Sequence, residues 1–295
     1  MIAVRIFEIT FPIFAIVMAG LVYARQFRPD MTLPNKLNME VFIPCLLFSV
    51  IYERAGVEGL FGNLALSIAL VVLLSGVIAF IVARLLHIEP RSLCPPIMFG
   101  NAGNLGLPLV VLSFGDVALP AAVICFVICN FFHITLGSFM LNKQPNVLRM
   151  LLSPMIVAVI LALIMSMLKV QISSTLLEPV RMLGQICVPL MLFALGTRLI
   201  DMRLSEWKIG MLAAVLAPVS GIAIVMVLLQ FMELTRLEQG ALFLFGALPP
   251  AVMNYMFAEH YQQEPARVAA MVLFGNAFTV ISLPLALAYA LPRFG

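Results

Sequence analysis

The chain has 295 residues, 63% of them hydrophobic and 11% charged, and a formal net charge of +3. A soluble domain carries about 25% charged residues, so a soluble globular protein is excluded and no room is left for a separate soluble domain. The small net charge gives no sign of a nucleic-acid partner.

Ten apolar segments follow one another, at about 6–24, 36–53, 63–86, 91–114, 117–141, 149–169, 178–199, 207–231, 238–260 and 266–290. Each is near the roughly 20 residues that a spanning helix needs. The expected fold class is an all-α polytopic membrane protein with ten transmembrane helices. Arg5 and Glu8 precede the first apolar run, and no small-x-small cleavage site follows it, so this run reads as the first span rather than a signal peptide. The links are short and hold nearly all the charge. Those after odd-numbered segments carry Arg25, Arg28, Lys36, Arg84, Arg91, Lys143, Arg149, Arg198, Arg203, Lys208 and Arg267. The other side carries Arg5, Arg54, Lys169, Arg181, Arg236 and Arg293. An eleven-to-six split makes the first set cytoplasmic and puts both termini outside. Cys45, Cys94, Cys125, Cys129 and Cys187 all fall inside apolar segments, as packed, reduced thiols would. No His or carboxylate cluster completes a metal set around them, and no metal or cofactor is expected.

The fourth segment is the irregular one. Residues 94–108 hold Pro95, Pro96 and Pro108, Gly100, Gly103 and Gly106, and the amides of Asn101 and Asn104. Proline removes a backbone donor and glycine weakens a helix by about 1 kcal/mol, so a continuous helix is not expected between Gly100 and Pro108. Broken backbone at membrane depth must be buried in protein or line a wet cavity, because an unpaired peptide group costs several kcal/mol in hydrocarbon.

The two halves repeat. Phe42-Ile-Pro44-Cys-Leu-Leu-Phe48 matches Cys187-Val-Pro189-Leu-Met-Leu-Phe193 at an offset of 145, and Phe99-Gly100 matches Phe245-Gly246 at 146. Asn130 matches Asn276 at the same 146, and Pro12 answers Pro154 at 142. Five segments per half is an odd number, so the second half enters the membrane from the opposite side and the repeat is inverted, 1–141 against 149–295. The partner of residues 94–108 is then Leu244 to Tyr255, another proline-broken segment with a buried amide at Asn254. Paired interrupted helices in two inverted halves point to a transporter's substrate site.

The Gly-Asn-x-Gly-x-x-Gly-x-Pro pattern at 100–108 resembles the fourth span of the auxin efflux carrier family. The Leu-Pro-Pro-Ala-Val-Met-Asn-Tyr-x-x-Ala-Glu run at 248–259 resembles its ninth span, in the manner of bacterial members, and the short link at 142–148 fits the same subgroup. The resemblance covers the whole chain. It implies the ten-span fold shared with bile-acid sodium symporters, with crossover helices in segments 4 and 9. It further implies a scaffold domain from segments 1, 2, 6 and 7 and a transport domain from segments 3–5 and 8–10. Outward movement or exchange of small organic anions across the inner membrane by an elevator-like motion is the implied activity.

The residues give their own account of the site. Two antiparallel broken helices meeting at mid-depth bring half-helix N-termini together, each with about +0.5 of a charge and free N–H groups suited to a carboxylate. The candidate solute contacts are Asn101, Gly103, Asn104 and Pro108 from one side and Pro249, Pro250, Asn254 and Tyr255 from the other. No Lys or Arg lies near the middle of any segment, so amides and dipoles are expected to hold the anion. Asn104 and Asn254 also have the capping of their own broken helices as a purely structural use. Asn130 and Asn276 are expected to bond the freed carbonyls of the crossover. His133, one turn beyond Asn130, is the histidine deep in a segment, and an intramembrane ionisable group is either a proton carrier or a neutral ring bonded to a neighbour. Glu40 and Gln185 each stand four residues before a proline that frees a carbonyl, and Glu40 lies near the cytoplasmic end, where water can reach it. Membrane lipids and a second copy of the chain, docked through the scaffold segments, are the expected partners.

Other classes fit less well. An intramembrane aspartyl protease needs two Asp within spans, and Asp30, Asp116 and Asp201 lie at segment ends or in links. The His-Glu-x-x-His of a metalloprotease and the Asp-rich motifs of a prenyl transferase are absent from the sequence. A sodium–proton antiporter on a similar fold wants buried acidic pairs beside the broken helices, where this chain has Asn and Pro.

Overall fold

The computed structural model describes residues 2–55, 62–141, 152–198, 200 and 206–295. Among these, regular structure is helical throughout, apart from one antiparallel bridge between Gly100 and Pro250. The helices are α1 (Ile2–Phe27), α2 (32–55), α3 (Asn63–Leu85), α4 (Pro90–Met98), α5 (Ala102–Phe114) and α6 (Asp116–Leu141). They continue as α7 (Pro154–Met167), α8 (Ser174–Arg198), α9 (Trp207–Leu228), α10 (Arg236–Gly246), α11 (Val252–His260) and α12 (Pro265–Phe294). They fall on the ten apolar segments, the fourth being split into α4 and α5 and the ninth into α10 and α11. Six of them, α1, α3, α6, α8, α9 and α12, are long and apolar enough to cross a membrane. The link at 142–148 with Lys143, and Arg149, Asp201 and Arg203, lie outside the described residues, as does the side chain of Arg54.

Local chemistry explains where the helices begin and end. Prolines stand in the first turn of α4, α7 and α12, where a missing N–H costs nothing. Thr235 and Glu238 form a reciprocal capping box at the start of α10. Gly115, at φ +81°, closes α5 in a backbone conformation that an L side chain rarely adopts.

Two prolines also shape the interior of the first half. Pro44 and Pro108 cannot donate to the carbonyl four residues back, and the ladder widens to a π-turn just before each, at Asn38–Phe42 and Ala102–Gly106. In both turns the residue before the proline donates five residues back, Ile43 to Asn38 and Leu107 to Ala102. Two further π-turns, Ile51–Ala55 and His133–Gly137, have no proline beside them. The stretches that match Asn38–Phe42 and His133–Gly137 are regular helix, even across Pro189, whereas the match of Ala102–Gly106, residues 248–252 at the offset of 146, falls almost wholly in a break of the helix.

Since the helices are apolar on every side, small residues decide which face packs. On α1 the buried side is Ile9, Ile13, Val17, Gly20 and Ala24, and Phe7, Phe11, Met18 and Val22 point outward. A Cβ on Gly20 would strike the carbonyl of Phe193, and one on Gly196 the carbonyl of Val17, so α1 and α8 cross backbone to backbone. Gly221 meets the carbonyl of Gly246 in the same way where α9 crosses α10. Helices α1, α2, α7 and α8 pack on one another, and so do α3–α6 with α9–α12.

Polar ties join helix ends that an alternating path brings together. Tyr52 donates to the carbonyl of Val170 at 2.7 Å and accepts from the N–H of Ile172 at 2.9 Å. Arg181 pairs with Glu53 and Glu178. Asn63 donates to the carbonyl of Glu233, and Arg5 to that of Ser113. Arg267 reaches Glu206 and Glu264 from links of the other set.

Candidate solute site at the helix crossing

The unwound stretch of the fourth segment is shorter than its prolines and glycines suggest. Helix α4 runs through Pro95 and Pro96 to Met98, the chain opens over 99–101, and it rewinds at Ala102 as a π-turn. In the ninth segment the open stretch is 247–251. The two stretches meet antiparallel: the N–H of Asn101 donates to Pro249 at 2.7 Å, and that of Ala251 donates to Phe99 at 2.9 Å. Each break thus satisfies peptide groups of the other, as apolar surroundings require.

Side-chain amides complete the knot. Asn101, 3% exposed, donates to Asn276 Oδ1 at 2.7 Å. Asn276 in turn donates to the carbonyls of Pro250, at 3.0 Å, and Val272, at 2.7 Å. Asn254 donates to the carbonyls of Phe99 and Ala251, both at 3.0 Å. Gly275 lets the ring of Pro250 lie against α12, where a Cβ would come within 2.5 Å of Pro250 Cδ.

Beside the knot lies a cavity of about 110 Å³. The crossing contributes Gly100, Asn101, Gly103 and Asn104 from one side and Ala251, Val252 and Met253 from the other. Helix α6 adds Cys129, Asn130 and His133. Asn35, Asn38, Met155, Met191 and Arg198 close it from α2, α7 and α8. In the first turns of α5 and α11 the N–H of Ala102 bonds the Gly100 carbonyl and that of Asn254 the Ala251 carbonyl, and Gly103, Asn104, Val252 and Met253 of the same turns line this space. Asn104 lines it too and makes no hydrogen bond among the described residues. No Asp or Glu is among the lining residues. The smaller cavity shares Asn35, Met39, Arg198, Val252 and Met256 with a vestibule of about 1260 Å³. Arg28, Lys36, Glu40, Glu259 and Pro265 stand along that vestibule, all from the Arg-rich set of links and the helix ends beside them.

The candidate residues divide into groups. Asn101, Gly103 and Asn104 line the cavity with Asn130 and His133. Gly103 leaves the room it must, since a Cβ there would sit 3.0 Å from both Met191 Cε and Phe126 Cε2. Asn254 is 1% exposed and bonded into the crossing rather than among the lining residues. Pro108, Pro249 and Pro250 shape the backbone and line neither space. Tyr255 lies in the vestibule with its hydroxyl donating to Glu259, and Glu40 is exposed there. The repeat-related pair Asn130 and Asn276 part company: Asn276 bonds the crossing, whereas Asn130 donates to Phe126 in its own helix and faces the cavity. His133, 4% exposed, stacks on Phe99 at 4.4 Å between ring centroids and meets Phe257 edge-on at 5.4 Å. Among the described residues its Nε2 has no partner in full hydrogen-bond geometry, and the Asn254 side chain is the polar group that interacts with the ring.

Three lining residues were not legible as such. Arg198 is the last residue of α8, so it counts as a link charge in the sequence, yet it lines both spaces and its Nη2 lies 3.9 Å from Met256 Sδ on α11. Asn35 stands just before the second segment and Asn38 at its start, neither within any motif. One signal was available: Asn38 begins a π-turn six residues before Pro44, the spacing that Ala102 has before Pro108.

The description "Membrane transport protein" belongs to a family whose model matches residues 5–148 and 144–287, nearly the whole chain. The chain belongs to that family, the auxin efflux carriers. An uncharacterized transporter of Methanocaldococcus jannaschii is 22% identical over 269 residues, which span 85% of this chain and 87% of that protein. Membership in the auxin efflux carrier family and six long apolar helices make this a multi-pass membrane transporter.

Proposed function

We propose that this auxin efflux carrier family protein is a secondary transporter of small organic anions, carboxylates above all, across the inner membrane. The observation that carries the reading is the charge of the cavity. Five amides, two helix N-termini and Arg198 face a space that no carboxylate lines. Such a set stabilises one negative group by charge-assisted hydrogen bonds without a fixed buried counter-ion. The same lack of acidic lining residues weighs against a sodium–proton antiporter, which needs carboxylates or clustered oxygens at its ion site.

The reading includes ten crossings in two inverted halves, with both termini outside. Two family matches of nearly equal length, meeting at the 142–148 link, support the halves. The vestibule then opens to the cytoplasm, and the described conformation faces inward. Helices α1, α2, α7 and α8 serve as scaffold, and α3–α6 with α9–α12 carry the solute past them as an elevator. Substrate contacts come from Asn101, Gly103, Asn104 and Asn130, with Asn254 and Asn276 holding the crossing in shape. His133 is the proposed proton carrier.

A thermal-shift screen of small organic acids on purified protein, followed by counterflow of each labelled hit in proteoliposomes, tests the function. Carboxylates should stabilise the protein and show counterflow. Stabilisation by sodium or lithium alone, with no response to any acid, would hand the assignment to the antiporter reading.

A further inference from the structure

The neck where the vestibule adjoins the cavity carries two methionines. Asn35, Met39, Arg198, Val252 and Met256 line both spaces. Met39 stands on α2 and Met256 on α11, and they are 39% and 44% exposed. Met155 and Met191 on the cavity wall are buried. Met256 also touches a cation: its Sδ lies 3.9 Å from Arg198 Nη2, a contact that runs from α8 to α11. A thioether sulfur is a weak acceptor, so a stronger acceptor at the same place would change what this guanidinium does.

We propose that Met256 is a redox modification site, and that oxidation of its thioether to the sulfoxide by a hydroperoxide lowers the carrier's affinity for its anion. The proposal rests on the carboxylate reading above, in which Arg198 faces the solute. In the step, a sulfur lone pair attacks one oxygen of the peroxide. An S–O bond forms as the O–O bond breaks. The hydroxide that leaves takes the proton from the transferred oxygen and departs as water. The sulfur loses two electrons and the peroxide gains them. An exposed thioether is open to this step, and the product side chain is polar where the original was apolar. The new oxygen is a stronger acceptor than the sulfur and adds no net charge. It is carried by the atom that already lies against Arg198 Nη2. A guanidinium hydrogen bond to the sulfoxide then engages a donor that the carboxylate needs, and it ties α8 to α11 across the neck.

The test treats the purified full chain with hydrogen peroxide, maps the oxidised residues by mass spectrometry of its peptides, and reconstitutes the protein for counterflow of a carboxylate. The chain has 19 methionines, so variants must show which sulfur matters. In the wild type Met256 should gain one oxygen atom, and the half-saturating carboxylate concentration should rise at least about fivefold. Methionine sulfoxide reductase with dithiothreitol should reverse the rise, and dithiothreitol alone should not, which separates a sulfoxide from an oxidised thiol. Each variant is compared with its own untreated form, and melting temperature monitors folding. Met256→Leu should lose the response to peroxide, and Met39→Leu should keep it. A Met256 that stays unoxidised, full oxidation of Met256 with unchanged counterflow, or a response that survives in Met256→Leu overturns the proposal and leaves the carboxylate reading standing. If no carboxylate shows counterflow with the untreated wild type, the carboxylate reading itself falls, and this proposal with it.

Discussion

Asn104 and Asn254 are each the third residue of a half-helix that rewinds after a break, and their side chains have come to different uses. Asn254 holds two carbonyls of the crossing, whereas the Asn104 side chain makes no hydrogen bond among the described residues. Asn254→Ala should therefore lower stability by about 2–3 kcal/mol, since it strands buried carbonyls, and lose transport through that damage. Asn104→Ala should leave the melting temperature unchanged and abolish solute binding. Thermal unfolding in detergent beside counterflow separates the two, and equal melting losses for both would sink the division of labour. At His133 the expectation is that anion affinity rises as pH falls from about 7.5 to 5.5 and that His133→Gln flattens the slope. Full retention of the slope in the variant, or loss of uptake when choline replaces sodium at fixed pH, rules out the proton assignment.

Among the elements, the π-turns and the glycine crossings are what the side chains depend on. Pro108 denies the Asn104 carbonyl its usual partner, and the turn that results presents Gly103 and Asn104 to the cavity. Pro108→Ala restores that N–H. The turn should close to regular helix, with stability unchanged or raised and solute affinity down at least about tenfold. Unimpaired affinity would mean that the turn does not position Asn104. At the other crossing, Gly196→Ala puts a methyl group into the Val17 carbonyl, and the helices must separate. Overpacking of this kind costs about 1–3 kcal/mol, which a shift in detergent melting reads directly.

Across the whole molecule, the Arg-rich link ends border the vestibule, and the vestibule adjoins the cavity. Arg28, Lys36 and Arg198 stand along the open space. A membrane-impermeant maleimide should label Thr32→Cys from the cytoplasmic face and not from outside. The native background should be low, because four of the five cysteines are buried. Reporters fused near residue 1 and at residue 295 should both read periplasmic. Cytoplasmic readouts at both ends would overturn the topology and, with it, the inversion of the halves.

Much of this was legible along the chain because its causes are local. Runs of apolar residues set the helices, prolines without N–H groups set the irregular turns before Pro44 and Pro108, and charge falls into the links because burying it is costly. The family likewise shows in the glycine, asparagine and proline spacing at 100–108 and 248–259. What the tertiary structure decided is the pairing. Nothing in the order of residues says that Asn101 bonds Asn276, 175 residues away, while Asn130 keeps to its own helix and turns to the cavity. The two amides stand 146 residues apart at matching positions of the sequence, and what packs across from each decides its partners. The same holds for Arg198 and Asn38. One reads as a link charge and the other as an ordinary polar residue near a helix end, until α2, α7 and α8 close around the crossing and make both of them its walls.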